Sequence, residues 1–246
     1  MKKLLYFSFL FLIISISSCN TTESEPCPVV KEPFSLAINQ KYNSQELMYF
    51  ENYKSIQGND MWFTKSKFYL SNVVAVKSNG DKKLIADIVL LDYSLDSAAN
   101  QISGNIEQGD YVGIEFDLGV REDYNSTDPA TFAIDHPLSI TKNMYWGWAS
   151  MYIFAKLEGF EVHNNDTNSF VIHTGTQDLY RPNVKVNFDF VVSTGGSEAS
   201  IDLDIYDVLY QSNYTFDLYN DGQTHTLDNL QLAIHYMDNF TNGFSK

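Results

Sequence analysis

Cysteine is nearly missing from this chain, with two among 246 residues. So small a number excludes a disulfide scaffold and a four-cysteine zinc site. Basic residues are scarce as well: 16 Lys and Arg stand against 31 Asp and Glu, for a formal charge of -15. Binding by counterion release needs clustered Lys and Arg, which rules out nucleic acid as the partner class. Electrostatic docking on anionic lipid is disfavoured for the same reason. The familiar catalytic signatures are also lacking. There is no Gly-x-Ser-x-Gly elbow, no Walker loop, no Gly-x-Gly-x-x-Gly turn and no His-Glu-x-x-His helix. A glycosidase needs only two suitably spaced carboxylates, but 31 acids single out no pair, so the chain is not expected to be an enzyme.

What is present suits a folded β protein. Hydrophobic residues make up 44% and aromatics 15%, against 19% charged, enough apolar surface to offset the entropy of ordering the chain. The first residues form a segment of their own. Met1-Lys2-Lys3 gives a positive start, Leu4 through Ile16 an apolar run too short to span a bilayer, and Ile16-Ser17-Ser18-Cys19 a small-residue cleavage site. The pattern resembles a bacterial lipoprotein signal, which implies removal of residues 1–18 and lipidation of Cys19. Losing Lys2 and Lys3 takes the charge to -17. Residues 19–33 then read as a lipidated N-terminus and polar tether, and 34–246 as the folded domain. Membrane association is expected through the lipid only, on the outer membrane, facing either the periplasm or the cell surface. Cys27, between Pro26 and Pro28, is a lone thiol with no evident partner.

Strand follows strand from Phe34 onward. Lys67 through Val76 is β-branched and aromatic and ends in the turn cluster Ser78-Asn79-Gly80-Asp81; the run from Leu84 to Tyr93 completes a hairpin. Ile114, Phe116 and Leu118 alternate with Glu115 and Asp117. Val184 to Phe190 and Ile201 to Ile205 alternate likewise, each marking a half-buried strand. Such a series predicts an all-β fold, an antiparallel β-sandwich. At the C-terminus Leu230, Ala233, Ile234 and Met237 have helical spacing, and Asp228 with Gln231 forms an N-cap pair, which predicts one short helix. Between Leu118 and Met144 periodicity lapses, and loops that long usually carry function or disorder.

Five histidines, His136, His163, His173, His225 and His235, form no close His-x-His or His-x-x-x-His pair. His163 and His225 read as exposed loop residues. His173 differs, since it follows the strand-like Phe170-Val171-Ile172 and precedes Thr174-Gly175, where neutral imidazole at a sheet rim can bind zinc or copper. The densest aromatic stretch runs from Met144 to Gly159 and holds Trp146 and Trp148, which would share one face of a strand. Core packing and a ligand platform are both open for that pair.

Several of these elements carry a resemblance. Gly119-Val120-Arg121 with Asn125, Asp128-Pro129, Met144-Tyr145-Trp146-Gly147-Trp148, and Tyr152 through Gly159 resemble the MbnP-like family of extracytoplasmic copper-binding proteins, in which a Phe-Trp-x-Trp strand follows a Gly-Val-Asp turn. Phe68-Tyr69-Leu70-Ser71-Asn72-Val73 is similar to its Tyr-x-Ser-Asn strand, and Phe170 through Gly175 to its His-x-Gly element. The resemblance covers roughly residues 34–240. It implies a β-rich protein of the cell envelope that binds or delivers copper. It further implies that Trp146 or Trp148 is oxidised to kynurenine by a partner dihaem protein of the cytochrome c peroxidase type, with His173 as imidazole ligand and Met144 and Met151 as neighbours. Two departures stand out. Arg121 replaces the usual Asp, and the first strand has Asn39 where relatives have a His, a loss that His136 would make good from the preceding loop. Two other classes stay open: an adhesion module that binds glycan or protein, with an acidic surface able to order calcium though no calcium motif is present, and a redox substrate without copper.

Overall fold

The longest strand organises the domain. β4 (Asp60–Val76) starts with Met61 and Phe63 buried and Trp62 between them half-exposed, then turns at Phe68-Tyr69-Leu70-Ser71 into a run buried on both faces. A half-covered strand alternates and a fully covered one does not, so β4 passes from the rim of the domain into its centre. The computed structural model describes residues 29–94, 100–147 and 151–246. The leader 1–18, Cys19, most of the tether with Cys27, and Trp148 lie outside the described residues.

In chain order the strands are β1 (Lys31–Tyr42), β2 (Gln45–Glu46), β3 (Tyr53–Lys54), β4, β5 (Lys82–Asp92), β6 (Gln101–Glu107), β7 (Gly109–Leu118), β8 (Ile153–His163), β9 (Asp166–Gly175), β10 (Arg181–Val192), β11 (Ser197–Asp204), β12 (Gln223–His225) and β13 (Phe244–Ser245). One sheet runs β13-β11-β1-β2, with β6 also on β1; the other runs β10-β7-β4-β8-β9-β12, with β3 and β5 also on β4. The two form the expected sandwich, and β1 begins at Lys31, slightly ahead of the expected domain start at Phe34. The β4–β5 hairpin closes through Gly80, at φ 89°, whose N–H reaches the Lys77 carbonyl. Not every ladder is antiparallel as expected. β1 pairs with β11 and β9 with β12 in parallel. Those partners are far apart in sequence, and a parallel pair needs only a long enough crossover.

Among the described residues four short helices join the strands: α1 (Glu122–Asn125), α2 (Ile205–Leu209), α3 (Leu218–Asp221) and α4 (Leu230–Asn242). Only α4 was legible. Its cap is Asn229, whose side chain accepts from the Leu232 N–H, rather than Asp228, and Leu230 lies exposed. Leu232, Ala233, Tyr236, Met237 and Phe240 form its buried face. The aperiodic stretch after β7 holds α1 and two single 3₁₀ turns, Pro129–Thr131 and Ile140–Lys142.

α4 and β13 close the core with aromatic contacts: Phe240 lies edge-on to Phe68 at 5.0 Å, and Phe244 edge-on to Phe116 at 4.8 Å. Phe240 is fully buried. Phe240→Ala should therefore lower the unfolding free energy by about 3–5 kcal/mol, read as a fall in denaturant midpoint at unchanged m-value.

Candidate metal centre

β9 ends in His173-Thr174-Gly175, and the three-residue β12 lies parallel beside it with His225 opposite His173. Residues opposite each other across a ladder project on the same face. The two imidazole rings consequently meet, with centroids 5.2 Å apart and planes at 87°. On the other flank of β9, antiparallel β8 places Lys156 opposite His173 and Glu158 opposite Val171. Glu158 leans back along the strand, and its Oε1 lies 2.8 Å from His173 Nε2. Its Oε2 accepts from Lys65 on β4 at 2.9 Å. His225 Nδ1 stands 3.1 Å from Asp228 Oδ2, while Asp228 Oδ1 accepts the backbone N–H of His225.

Trp146 completes the cluster, its ring 6.3 Å from that of His173 and tilted by 39°. It does not stand in a long aromatic strand as expected. β8 starts only at Ile153, and Tyr145 and Tyr152 meet in an isolated antiparallel bridge. Backbone bonds from Trp146 N–H to the Met151 carbonyl and from Met151 N–H to the Gly147 carbonyl tighten the loop. Gly175 explains the His-x-Gly spacing. A Cβ there would lie 2.9 Å from Trp146 Cζ3 and 2.5 Å from the Tyr152 carbonyl, so any side chain would displace the indole or the strand.

Backbone strain gathers around the same place. Asn143, Met151, Thr176 and Thr226 all have positive φ, between 56° and 75°. For a β-branched threonine this is a costly conformation, held only where the surroundings enforce it and concentrated in proteins at functional sites. At Thr226 the enforcing contacts are visible. Its hydroxyl accepts from the Gly175 N–H and donates to the His173 carbonyl, pinning the β12 end against β9.

Burial pushes the His173 pKa down to about 4, outweighing the opposing pull of Glu158, and Lys156 pushes the same way. Burial raises Glu158, but hydrogen bonds from Lys65 and His173 overcome it and hold the carboxyl below its usual range. At neutral pH the site thus holds an uncharged His173 imidazole against an ionised Glu158. Among the described residues no group of three His, Cys, Asp or Glu is placed to hold a metal. The donors that converge are two imidazoles.

The remaining candidates fall elsewhere. His136 stacks on Phe132 at 4.3 Å and accepts the Leu138 N–H on Nδ1, contacts within its own loop. Trp148 cannot be placed, being outside the described residues. Met144 is buried, and Met151 Sδ faces the Tyr145 hydroxyl at 3.9 Å. His163 is exposed beside Tyr219, and His235 stacks on Tyr214 at 4.0 Å. His225, exposed as the sequence suggests but on β12 rather than in a loop, is the group that joins His173. The signal available was His225-x-x-Asp228, a spacing too common to weigh alone. Arg121, the departure from the resembled turn, reaches Asn72, Asp87 and Asp123 and lies under Tyr124.

A family model described as MbnP matches residues 31–228. Among solved structures, MbnP from Methylosinus trichosporium is similar in fold, with a TM-score of 0.53 at 14% identity over 74% of this chain and 78% of that chain. No curated protein matches the sequence. The family match runs from the first residue of β1 to Asp228, the acceptor for His225, and on that span the chain belongs to the MbnP family.

Proposed function

We propose that this protein binds copper in the cell envelope, anchored through Cys19, and holds it as Cu(I) between His173 and His225 beside Trp146. The observation that carries the reading is the pair of imidazoles brought face to edge by the β9–β12 register, one kept neutral by burial. Uncharged nitrogen donors suit copper, whereas calcium and magnesium want several oxygens. Glu158 and Asp228 are engaged with Lys65 and with the histidines, so the donor set stays nitrogen-based. Family membership supports the copper reading, and the histidine pair makes good the missing first-strand histidine without His136.

Proximity to His173 favours Trp146 as the residue that a dihaem peroxidase-type partner would oxidise to kynurenine. The product carries an aromatic amine, a third nitrogen next to the two imidazoles. This chain's own part is to hold the indole: Gly175 leaves room for it, and the Met151 and Gly147 backbone bonds fix its loop.

Titration of mature protein with Cu(I) under a competing chelator tests the copper reading. His173→Ala and His225→Ala should each weaken binding by at least about tenfold, the usual lower bound even for groups behind the ligands. Weak binding that neither substitution changes would sink it.

The buried His173 also sets an acid limit on the metal-free protein. Its folded pKa, about 4, lies below the unfolded value of 6.5, so on acidification the unfolded chain takes up the proton first. Its contribution is complete above the unfolded pKa and is lost as pH falls toward the folded one, to a total of up to about 3 kcal/mol. Denaturant midpoints of chelator-treated protein should fall across that window, and His173→Asn should flatten the slope.

A further inference from the structure

We propose that Glu158 and Asp228 are positioning residues that lock the two imidazoles in opposite tautomers, leaving Nδ1 of His173 and Nε2 of His225 as the open nitrogens. The role for copper rests on the function proposed above; the tautomers themselves do not.

An ionised carboxylate only accepts hydrogen bonds, so a ring nitrogen within bonding distance of one must carry the hydrogen. Glu158 Oε1 is 2.8 Å from His173 Nε2, and the Lys65 ammonium at its other oxygen, 2.9 Å away, keeps the carboxylate charged and stationary. His173 therefore donates from Nε2 and keeps its lone pair on Nδ1. Asp228 Oδ2 meets His225 at Nδ1 instead, 3.1 Å away, with its other oxygen held by the His225 backbone N–H. His225 consequently donates from Nδ1 and keeps its lone pair on Nε2. Each carboxylate is fixed by a second group that is not a histidine ring: Lys65 on β4 for Glu158, and backbone on β12 for Asp228.

The opposite assignment has a geometric source. His173 sits in mid-sheet between β8 and β12, where a carboxylate from the neighbouring strand reaches the far end of its ring. His225 is the last residue of its strand, and its acceptor comes from three residues along its own chain, which reaches only the near nitrogen. A long reach across the ladder takes Nε2 and a short local turn takes Nδ1. Hydrogen-bonded partners of this kind orient metal-ligating histidines and raise their basicity. With both carboxylates occupied, the open donors are two neutral nitrogens, a set that suits copper and other transition metals rather than calcium or magnesium.

Long-range ¹H–¹⁵N correlation spectra of metal-free protein at about pH 8, above the ordinary histidine range, read the tautomers directly. His173 is expected as the Nε2–H form and His225 as the Nδ1–H form. Adding Cu(I) should then perturb Nδ1 of His173 and Nε2 of His225. Glu158→Gln offers a single acceptor oxygen, which Lys65 takes, so its NH2 turns to His173 Nε2 and should shift the ring toward the Nδ1–H form. Glu158→Leu should leave a mixture, and both variants should weaken Cu(I) binding by about 10- to 100-fold. An Nδ1–H form or an averaged signal for His173 in wild-type protein overturns the proposal even if copper binds, as does copper perturbing His173 Nε2. The assigned tautomers in a protein that binds no Cu(I) uphold the assignment and overturn the copper reading instead. The wild-type spectrum decides the assignment even if Glu158→Leu fails to fold.

Discussion

Everything near the candidate metal centre depends on β4 serving two environments along one continuous strand. Its first half pairs with β8, and its second half pairs with β5 and β7. Just past the change of partners between Lys67 and Leu70, Asn72 takes φ 52° in mid-strand while the registers with β5 and β7 both slip beside it. A bulge bends a strand and increases its twist. Here it also turns the Asn72 amide to donate to Asp117 at 2.6 Å and accept from Arg121 at 2.6 Å, tying the loop after β7 to the sheet. On the first half of β4, just past a register shift between Phe63 and Lys65, the ladder carries Lys65 to Glu158, and β8 carries Glu158 to His173.

The centre is built by layers of support rather than by a single motif. Ladder register places the rings, carboxylates orient them, and strained loop residues bring Trp146 and the β12 end into contact with β9. Each layer draws on backbone hydrogen bonds that the sheet needs in any case. The positive-φ threonines represent conformational cost, and Thr226 is held by bonds to Gly175 and His173 on the strand it must abut.

Arg121 shows how a departure from a resembled pattern is absorbed. A positive group replaces an expected acid, yet the pocket around it is acidic and polar: Asp87, Asp123 and the Asn72 carbonyl accept its hydrogens, and the Tyr124 ring lies 4.8 Å from its guanidinium carbon. Hydrogen bonds to Asp123 and Asp87 outweigh burial and keep the guanidinium charged. The loop is held by ion pairing within the protein, so the changed residue does not by itself argue for a changed fold.

Alternation of apolar and polar residues was enough to locate β7, β10, β11 and α4, because burial of one face leaves a period of two or of three to four in the sequence, while β-branched and aromatic content located β5 and the second half of β4. The glycine turn after Val76 was legible for a similarly local reason, a turn dipeptide. The parallel ladders were not. Nothing local distinguishes a strand that will pair with a distant parallel partner, and β12 is only three residues long. That ladder set His225, exposed as expected but on a strand rather than in a loop, beside His173, while Asn229 caps α4 and Asp228 meets the imidazole. Sequence by itself determined which residues can carry the chemistry and which faces they bury. Tertiary structure alone decided which two histidines meet, because register between strands remote in the chain is set by the packing of the whole sheet.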